Sequence, residues 1–184
     1  MNTFQQIASF LLNTVFGIYT VAVLLRFFLQ WVKADFYNPV CQMLIKVTNP
    51  FLKPLRKVIP GIFGLDLAAL FLAIILQVIL IALMYWITNI PFQPYFFALA
   101  VVISLVRLIL HLYFFLIIIR ALMSWFTNPY QQNPMAVVLI QLTEPLLRPA
   151  RHLIKPIGGV DLSPLVVLIA IQVIIIIVSN LVYF

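Results

Sequence analysis

Three arginines interrupt long apolar segments of this chain, at Arg26, Arg107 and Arg120. A charged side chain is costly inside a bilayer, so such residues commonly pair with a carboxylate, bind an anion or extend outward to the headgroups. Asp66 and Asp161 open two later apolar segments. Structural ion pairs of Arg26 and Arg120 with Asp66 and Asp161, within one half of the chain or between the halves, are one interpretation. The other, given the same weight, is that the arginines snorkel and the aspartates only cap helices.

Further polar residues lie deeper in the apolar segments. Gln77 and Gln172 occupy corresponding positions, and a buried amide can bridge two helices without titrating. Arg107 lies one helical turn before His111 and has no counterpart in the other half of the chain. For the two glutamines, an interhelical hydrogen bond is favoured over a conduction filter. For Arg107 with His111, an interhelical hydrogen bond or snorkelling outward is favoured over a polar cavity or an anion contact.

No grouping of residues is typical of a catalytic or metal site. The histidines, acidic residues and the single cysteine, Cys41, lack metal-ligand spacing, and neither a Ser-His-carboxylate set nor a glycine-rich phosphate motif is present. We therefore predict a protein that is not an enzyme and that holds no cofactor.

The polar residues follow an internal duplication. The segment Thr48-Asn-Pro-Phe-Leu-Lys-Pro-Leu-Arg56 returns as Thr143-Glu-Pro-Leu-Leu-Arg-Pro-Ala-Arg151. At an offset of about 95 residues, roughly twelve of about thirty positions in residues 48–77 are identical to their counterparts. We predict two tandem repeats, residues 1–93 and residues 94–184.

The composition places these repeats in a bilayer. Hydrophobic residues make up 65% of the chain and charged residues 8%, whereas soluble domains have about half and about a quarter. Apolar runs at about 7–31, 66–90, 95–126 and 162–184 are long enough to span. The third run is longer than a bilayer requires, which predicts a helix that tilts or extends beyond it.

Each pair of spans is joined by a basic connector, at 38–60 and at 133–156. Helical apolar spacing and cations predict amphipathic interfacial helices there. Repeated prolines favour two short helical pieces per connector, the second beginning at Asn49-Pro50 or Glu144-Pro145 and kinked or broken at Pro54 or Pro149. The predicted fold is an all-α membrane protein in which four transmembrane helices form two similarly oriented helical-hairpin repeats with cytoplasmic amphipathic helices.

The cations set the predicted orientation and partners. Connector cations favour the cytoplasmic side, so both termini are expected to be periplasmic. The net charge of +7 then predicts anionic phospholipids rather than nucleic acid as partners. The alternative is a basic connector that only sets topology. The candidate lipid- or partner-binding residues are Lys53, Arg56, Lys57, Arg148, Arg151 and Lys155.

At these repeated residues the chain resembles the YggT family, also called YlmG in Gram-positive bacteria and plastids. The resemblance rests on the order Asn-Pro, Thr-x-Pro-x-Leu-x-Pro-x-Arg and Gly-x-Asp, and it covers essentially the whole chain. It implies a small multi-spanning protein of the bacterial inner membrane. The family is linked to osmotic-stress tolerance, to cell division and membrane organisation, and in plastids to cytochrome maturation.

We expect a membrane-organising or assembly factor that acts through its basic connectors on anionic lipid or on a membrane-protein partner. The alternative is an oligomeric ion channel or transporter component in osmotic ion handling, lined by Arg107, His111, Gln77 and Gln172. Four helices leave little packing around a water-filled path, so a pore would require a homo-oligomer.

Overall fold

The structure is a computed structural model that describes residues 2–61, 64–126, 133–153 and 161–181, with only the backbone described at 125 and 126. Within these residues the regular elements are six helices. They are α1 (Thr3–Trp31), α2 (Pro39–Val58), α3 (Leu67–Thr88), α4 (Pro94–Phe126), α5 (Pro134–Leu153) and α6 (Ser163–Asn180). The predicted all-helical fold is confirmed.

Four of the helices, α1, α3, α4 and α6, are long and apolar enough to cross a membrane. Large apolar side chains remain exposed on their outer faces, among them Phe10 and Ile18 at 69% and 68%. Such surface is unfavourable in water and favourable against acyl chains. α4 contains 33 residues and is therefore about 50 Å long, longer than the hydrocarbon core. The chain is a multi-pass membrane protein.

The four spans form two pairs, and α4 of the second pair packs against the first pair. α1 packs along α3, and α4 packs along α6, while α4 also contacts α1 and α3. At the junction, the ring of Phe28 on α1 lies edge-on to Tyr113 on α4, with centroids 5.0 Å apart. Among the described helices, α6 contacts only α4 and α5. The centre of the bundle is therefore built by α1, α3 and α4, with α6 at its edge.

Each connector forms one continuous helix rather than two short pieces. The predicted breaks at Pro54 and Pro149 are wrong, since α2 and α5 both run through their internal prolines. A proline removes one backbone donor and crowds the preceding turn. α2 and α5 are nevertheless attached to the bundle along their length, and in α2 the side chain of Arg26 donates to the Ile45 carbonyl in the turn before Pro50.

The connector helices begin at the predicted caps. Asn38 Oδ1 accepts a hydrogen bond from the backbone N–H of Val40, and Asn133 Oδ1 accepts one from Met135, at 2.9 and 3.0 Å. Asn38 also donates from Nδ2 to the carbonyl of Pro134 at 2.9 Å. The first turns of α2 and α5 are thus joined, which couples the two halves of the chain.

One face of each connector is packed into the bundle. In α2 the buried side chains are Cys41, Leu44, Thr48 and Leu52, and in α5 they are Val138, Leu139, Leu142, Thr143 and Leu147. Most of them join a core shared with α1, α3 and α4. Burial raises the pKa of the Cys41 thiol, which fits a packing role rather than a reactive one.

Leu52→Ala should show how strongly α2 is docked. Leu52 is fully buried, so we expect a loss of about 2–5 kcal/mol in the free energy of unfolding, measured by a reversible unfolding titration in mixed micelles. The control is Met43→Ala, because Met43 lies on the same helix and is 61% exposed; its effect should stay within about 0.5 kcal/mol. Equal effects would contradict the docking of α2.

Candidate functional site

Arg26 anchors α2 to the C-terminal part of α1. Its side chain is buried, and Nη1 donates to Thr48 Oγ1 and to Asn49 Oδ1, each at 2.9 Å, and to the Ile45 carbonyl at 3.3 Å. The Thr48 hydroxyl donates onward to the Leu44 carbonyl. Several acceptors around one guanidinium offset part of the cost of taking it out of water. We call Arg26, Thr48 and Asn49 the first anchor.

Arg120 forms the corresponding second anchor with Thr143 and Glu144. Nη1 donates to Thr143 Oγ1 at 2.7 Å and to the Ile140 carbonyl at 3.4 Å, and Nη2 donates to Glu144 Oε2 at 2.8 Å. Glu144 stands where the first half has Asn49. The second anchor is therefore an ion pair, whereas the first consists of hydrogen bonds to neutral groups.

Asp66 forms an ion pair with Arg56 of α2 rather than with Arg26, so the predicted Arg26–Asp66 pair is wrong. Asp66 is 3% exposed and also caps α3, accepting a hydrogen bond from the backbone N–H of Ala69. The reason lies in the docking of α2. Its last turn brings a guanidinium directly to the start of α3, while Arg26 is already committed to the middle of α2.

The second half repeats this exchange of partners. Asp161 Oδ2 accepts a hydrogen bond from Arg151 Nε at 2.8 Å, so the predicted Arg120–Asp161 pair is also wrong. Arg151 Nη1 reaches Glu144 Oε1 at 3.0 Å. Glu144 thereby bridges Arg120 and Arg151, and one continuous network joins α4, α5 and the start of α6.

Three groups of this network, Glu144, Asp161 and Arg151, have shifted pKa values. Burial alone would raise the pKa of Glu144, but hydrogen bonds and charge from Arg120, together with Arg151, lower it below its ordinary value. The pKa of Asp161 is likewise lowered, because hydrogen bonds from Ser163 and Arg151 outweigh burial. Arg151 has its pKa raised, first by its hydrogen bond to Asp161. These groups are therefore charged at neutral pH and hold the ion pairs.

The remaining connector cations face outward. Lys53, Lys57 and Arg148 are exposed, and within the described residues they make no ion pair. The other two predicted binding arginines, Arg56 and Arg151, form ion pairs with aspartates and so have a structural role. Lys155 lies outside the described residues.

A polar cavity of about 390 Å³ lies between α1, α3 and α4 and is partly open to the outside, since Asn13 and Arg107 in its wall are exposed. It brings together three of the predicted intramembrane residues, Gln77, Arg107 and His111, with Asn13 and Ser104. Gln77 is 2% exposed and its Oε1 accepts a hydrogen bond from Ser104 Oγ at 2.6 Å, so it links α3 to α4. The Arg107 side chain has no hydrogen-bond or ion-pair partner among the described residues.

Gln172, the fourth predicted intramembrane residue, is not part of this cavity. It lies exposed on α6, because the peripheral position of α6 leaves its outer face uncovered. The two glutamines are thus equivalent in sequence and different in surroundings.

Sequence reasoning missed the two threonines and Glu144 as partners of the anchoring arginines. Thr48 and Thr143 were visible as repeated positions, and Glu144 as the one acidic departure from the repeated motif. The spacing along the chain gave no indication that an arginine twenty-two residues before Thr48 would meet it.

Comparison with known proteins identifies the family of the chain. A family model described as CCB3/YggT matches residues 5–87 and again residues 99–182. The chain belongs to the CCB3/YggT family. The resemblance inferred from the repeated motif is therefore confirmed.

Relatives of this YggT-family protein cover most of its length. The YggT protein of Escherichia coli K12, named as uncharacterized, is 40% identical over 166 residues, which is 90% of this chain and 86% of that protein. An uncharacterized protein of Pseudomonas aeruginosa is 41% identical over 175 residues, 94% of this chain and 88% of that protein. A protein of Guillardia theta is 35% identical over 72 residues, 39% of this chain and 79% of that protein. No solved structure matches.

A double-mutant cycle should distinguish the two pairings of Asp66. Arg56→Gln and Asp66→Asn should be coupled by about 0.5–1 kcal/mol in the free energy of unfolding, because Arg56 is partly solvated and the pair is screened. The cycle of Arg26→Gln with Asp66→Asn is the control and should show a smaller coupling. A larger coupling to Arg26 than to Arg56 would overturn the assignment.

Proposed function

We propose that this protein is a non-enzymatic factor of the bacterial inner membrane that organises the membrane or assists assembly within it. Its two connector helices are the surface that contacts anionic phospholipids or a membrane-protein partner. By family resemblance, this role belongs to osmotic-stress tolerance or to cell-envelope and division processes. The observation that carries the proposal is the pairing of rigid docking on one face of each connector with exposed cations on another.

Rigid docking favours a surface over a flexible loop. Leu52 and Leu147 are both fully buried, and Arg26 and Arg120 tie the same two helices to the spans. A helix that is already held in place loses little conformational freedom when it binds a lipid surface or a partner. The connectors are therefore suited to binding in one defined orientation.

The outward face of α2 combines apolar and cationic side chains. Met43, Val47 and Phe51 recur every four residues and are 61%, 49% and 57% exposed. Lys46 and Lys53 are exposed on the same helix. Apolar side chains that enter the acyl boundary beside cations that meet phosphate are typical of a helix lying in the membrane interface. With the predicted cytoplasmic orientation, the facing leaflet is the anionic one.

Neutralising the cations that are free of ion pairs should weaken lipid association. We expect Lys53→Gln, Lys57→Gln and Arg148→Gln together to reduce the preference of the inserted protein for anionic over neutral lipid by roughly a hundredfold, since each cation contributes about 1 kcal/mol. The measurements are the anionic lipid that co-purifies with the protein, and amide exchange of α2 and α5 in nanodiscs with phosphatidylglycerol and in nanodiscs of phosphatidylcholine alone.

The matched control is the variant Lys53→Arg, Lys57→Arg and Arg148→Lys, which keeps the charge at all three positions. It should bind as the wild type does. Membrane topology is checked in every variant by cysteine labelling, because the same charges hold orientation. Equal lipid content and equal exchange in the neutralised variant, with intact topology, would reject the lipid surface and leave a protein partner.

The polar cavity between α1, α3 and α4 favours a second candidate, an oligomeric channel or transporter component. Arg107 and His111 place one charge and one titratable ring beside Gln77 and Asn13, well inside the spans. In lipid such groups commonly mark a pathway for ions or solutes. In this candidate an oligomer supplies the packing that one bundle lacks.

Ion flux in proteoliposomes separates the two candidates. The membrane-organising role predicts that purified protein leaves the flux of chloride and potassium at the level of empty liposomes. A channel predicts flux that rises with protein content and that Arg107→Gln changes severalfold, while Lys57→Gln, outside the cavity, leaves it intact. Flux with those two responses would replace the first proposal by the second.

A further inference from the structure

Two cavities occupy corresponding places at the cytoplasmic ends of the two halves, on the orientation predicted from charge. The first, of about 350 Å³, lies between the end of α1 and α2, and the second, of about 330 Å³, lies between α4 and α5. Every residue described around the second has its sequence counterpart around the first. In particular, Arg120 and Arg151 correspond to Arg26 and Arg56. The two cavities are therefore versions of one design, each with two guanidinium groups.

In the second half, a carboxylate of the chain already binds both arginines of the cavity wall. The Glu144 carboxylate accepts from Arg120 Nη2 at 2.8 Å and from Arg151 Nη1 at 3.0 Å, so it neutralises both arginines from between them. No exogenous anion is needed there. Glu144 thus marks where a negatively charged group sits when both arginines are satisfied.

The first cavity has the arginines without that carboxylate. Position 49 is asparagine, whose Oδ1 accepts from Arg26 Nη1 but carries no charge. The nitrogens that correspond to the two glutamate-binding ones, Arg26 Nη2 and Arg56 Nη1, have no hydrogen-bond partner among the described residues. Asp66 is occupied by the other nitrogens of Arg56.

The remaining walls of the first cavity favour an anionic amphiphile. Lys33 adds a third cation, and Leu29, Ala34, Phe36 and Leu44 supply apolar surface. Phe36 and Lys33 are exposed, so the cavity opens outward at the end of the span. The three cations are opposed by Asp66, which Arg56 already binds, and by Asp35, whose charge reaches Cys41 in the cavity wall. One positive charge remains in excess near the end of the span.

We propose that the first cavity binds an oxyanion, a phosphate or carboxylate group, at the position that the Glu144 carboxylate fills in the second half. The apolar wall favours an anionic phospholipid as the carrier. The inference deepens the proposed function and rests on it for the choice of lipid as ligand, but the site itself is separate from the outward face of α2.

Two reciprocal substitutions test the site. Asn49→Glu supplies the first cavity with its own carboxylate and should weaken binding of one phosphatidylglycerol per chain by about tenfold or more, since the lipid loses its charge-assisted hydrogen bonds. Glu144→Asn opens the second cavity and should add one phosphatidylglycerol per chain. The double variant keeps the net charge and should restore the wild-type stoichiometry. Native mass spectrometry of the full chain, delipidated and titrated with phosphatidylglycerol or phosphatidylcholine, counts the bound lipids.

Separate arms identify the source of the anion. Thermal stabilisation by phosphatidylglycerol that Asn49→Glu removes supports a lipid headgroup, and stabilisation by inorganic phosphate in uncharged micelles that the same variant removes supports a free oxyanion. Unchanged binding of both probes by Asn49→Glu would overturn the site, as would a Glu144→Asn variant that gains binding of neither phosphatidylglycerol nor inorganic phosphate. The variant neutralised at Lys53, Lys57 and Arg148 should keep this stoichiometric lipid, so failure of the surface and failure of the cavity are separate results.

Discussion

The structure depends on the need to satisfy a guanidinium group near the end of a transmembrane helix. Arg26 and Arg120 cannot remain unpartnered at that depth without a large cost in free energy. Each meets it by donating to a threonine hydroxyl and a backbone carbonyl of the connector that follows. The consequence is that a basic segment, which could have been a loop, becomes a helix fixed beneath the bundle with one face buried and another free.

The same interaction decides which arginines form ion pairs with the two aspartates. Once the span arginines are bound to the connectors, the aspartates at the start of α3 and α6 are left to Arg56 and Arg151, which the docked helices deliver to them. Each connector is then held at its middle and at its end. This double attachment explains how α2 and α5 continue through prolines that would interrupt an isolated helix.

The two halves share this scheme and differ in its electrostatics. One substitution, glutamate for asparagine at the corresponding position, turns hydrogen bonds to neutral groups into an ion-pair network in the second half. The spans differ as well, because Gln77 is covered by Ser104 of α4 whereas Gln172 on the peripheral α6 is exposed. Corresponding positions therefore have different surroundings. The reason is that α3 is covered by α4 of the second half, whereas no further half follows α6 in the described bundle.

The sequence by itself determined the membrane class, the four spans to within a few residues, the helical connectors and the family. These features depend on local composition and periodicity, and a bilayer forces an apolar run of sufficient length into a helix that satisfies its own backbone. Only the tertiary structure decided that Arg26 binds Thr48 rather than Asp66, that the connectors are unbroken, and that Gln77 lines one cavity with Arg107 and His111 while Gln172 does not. Those outcomes depend on which helices pack together, and side-chain spacing along one chain carries no information about the distance between two helices.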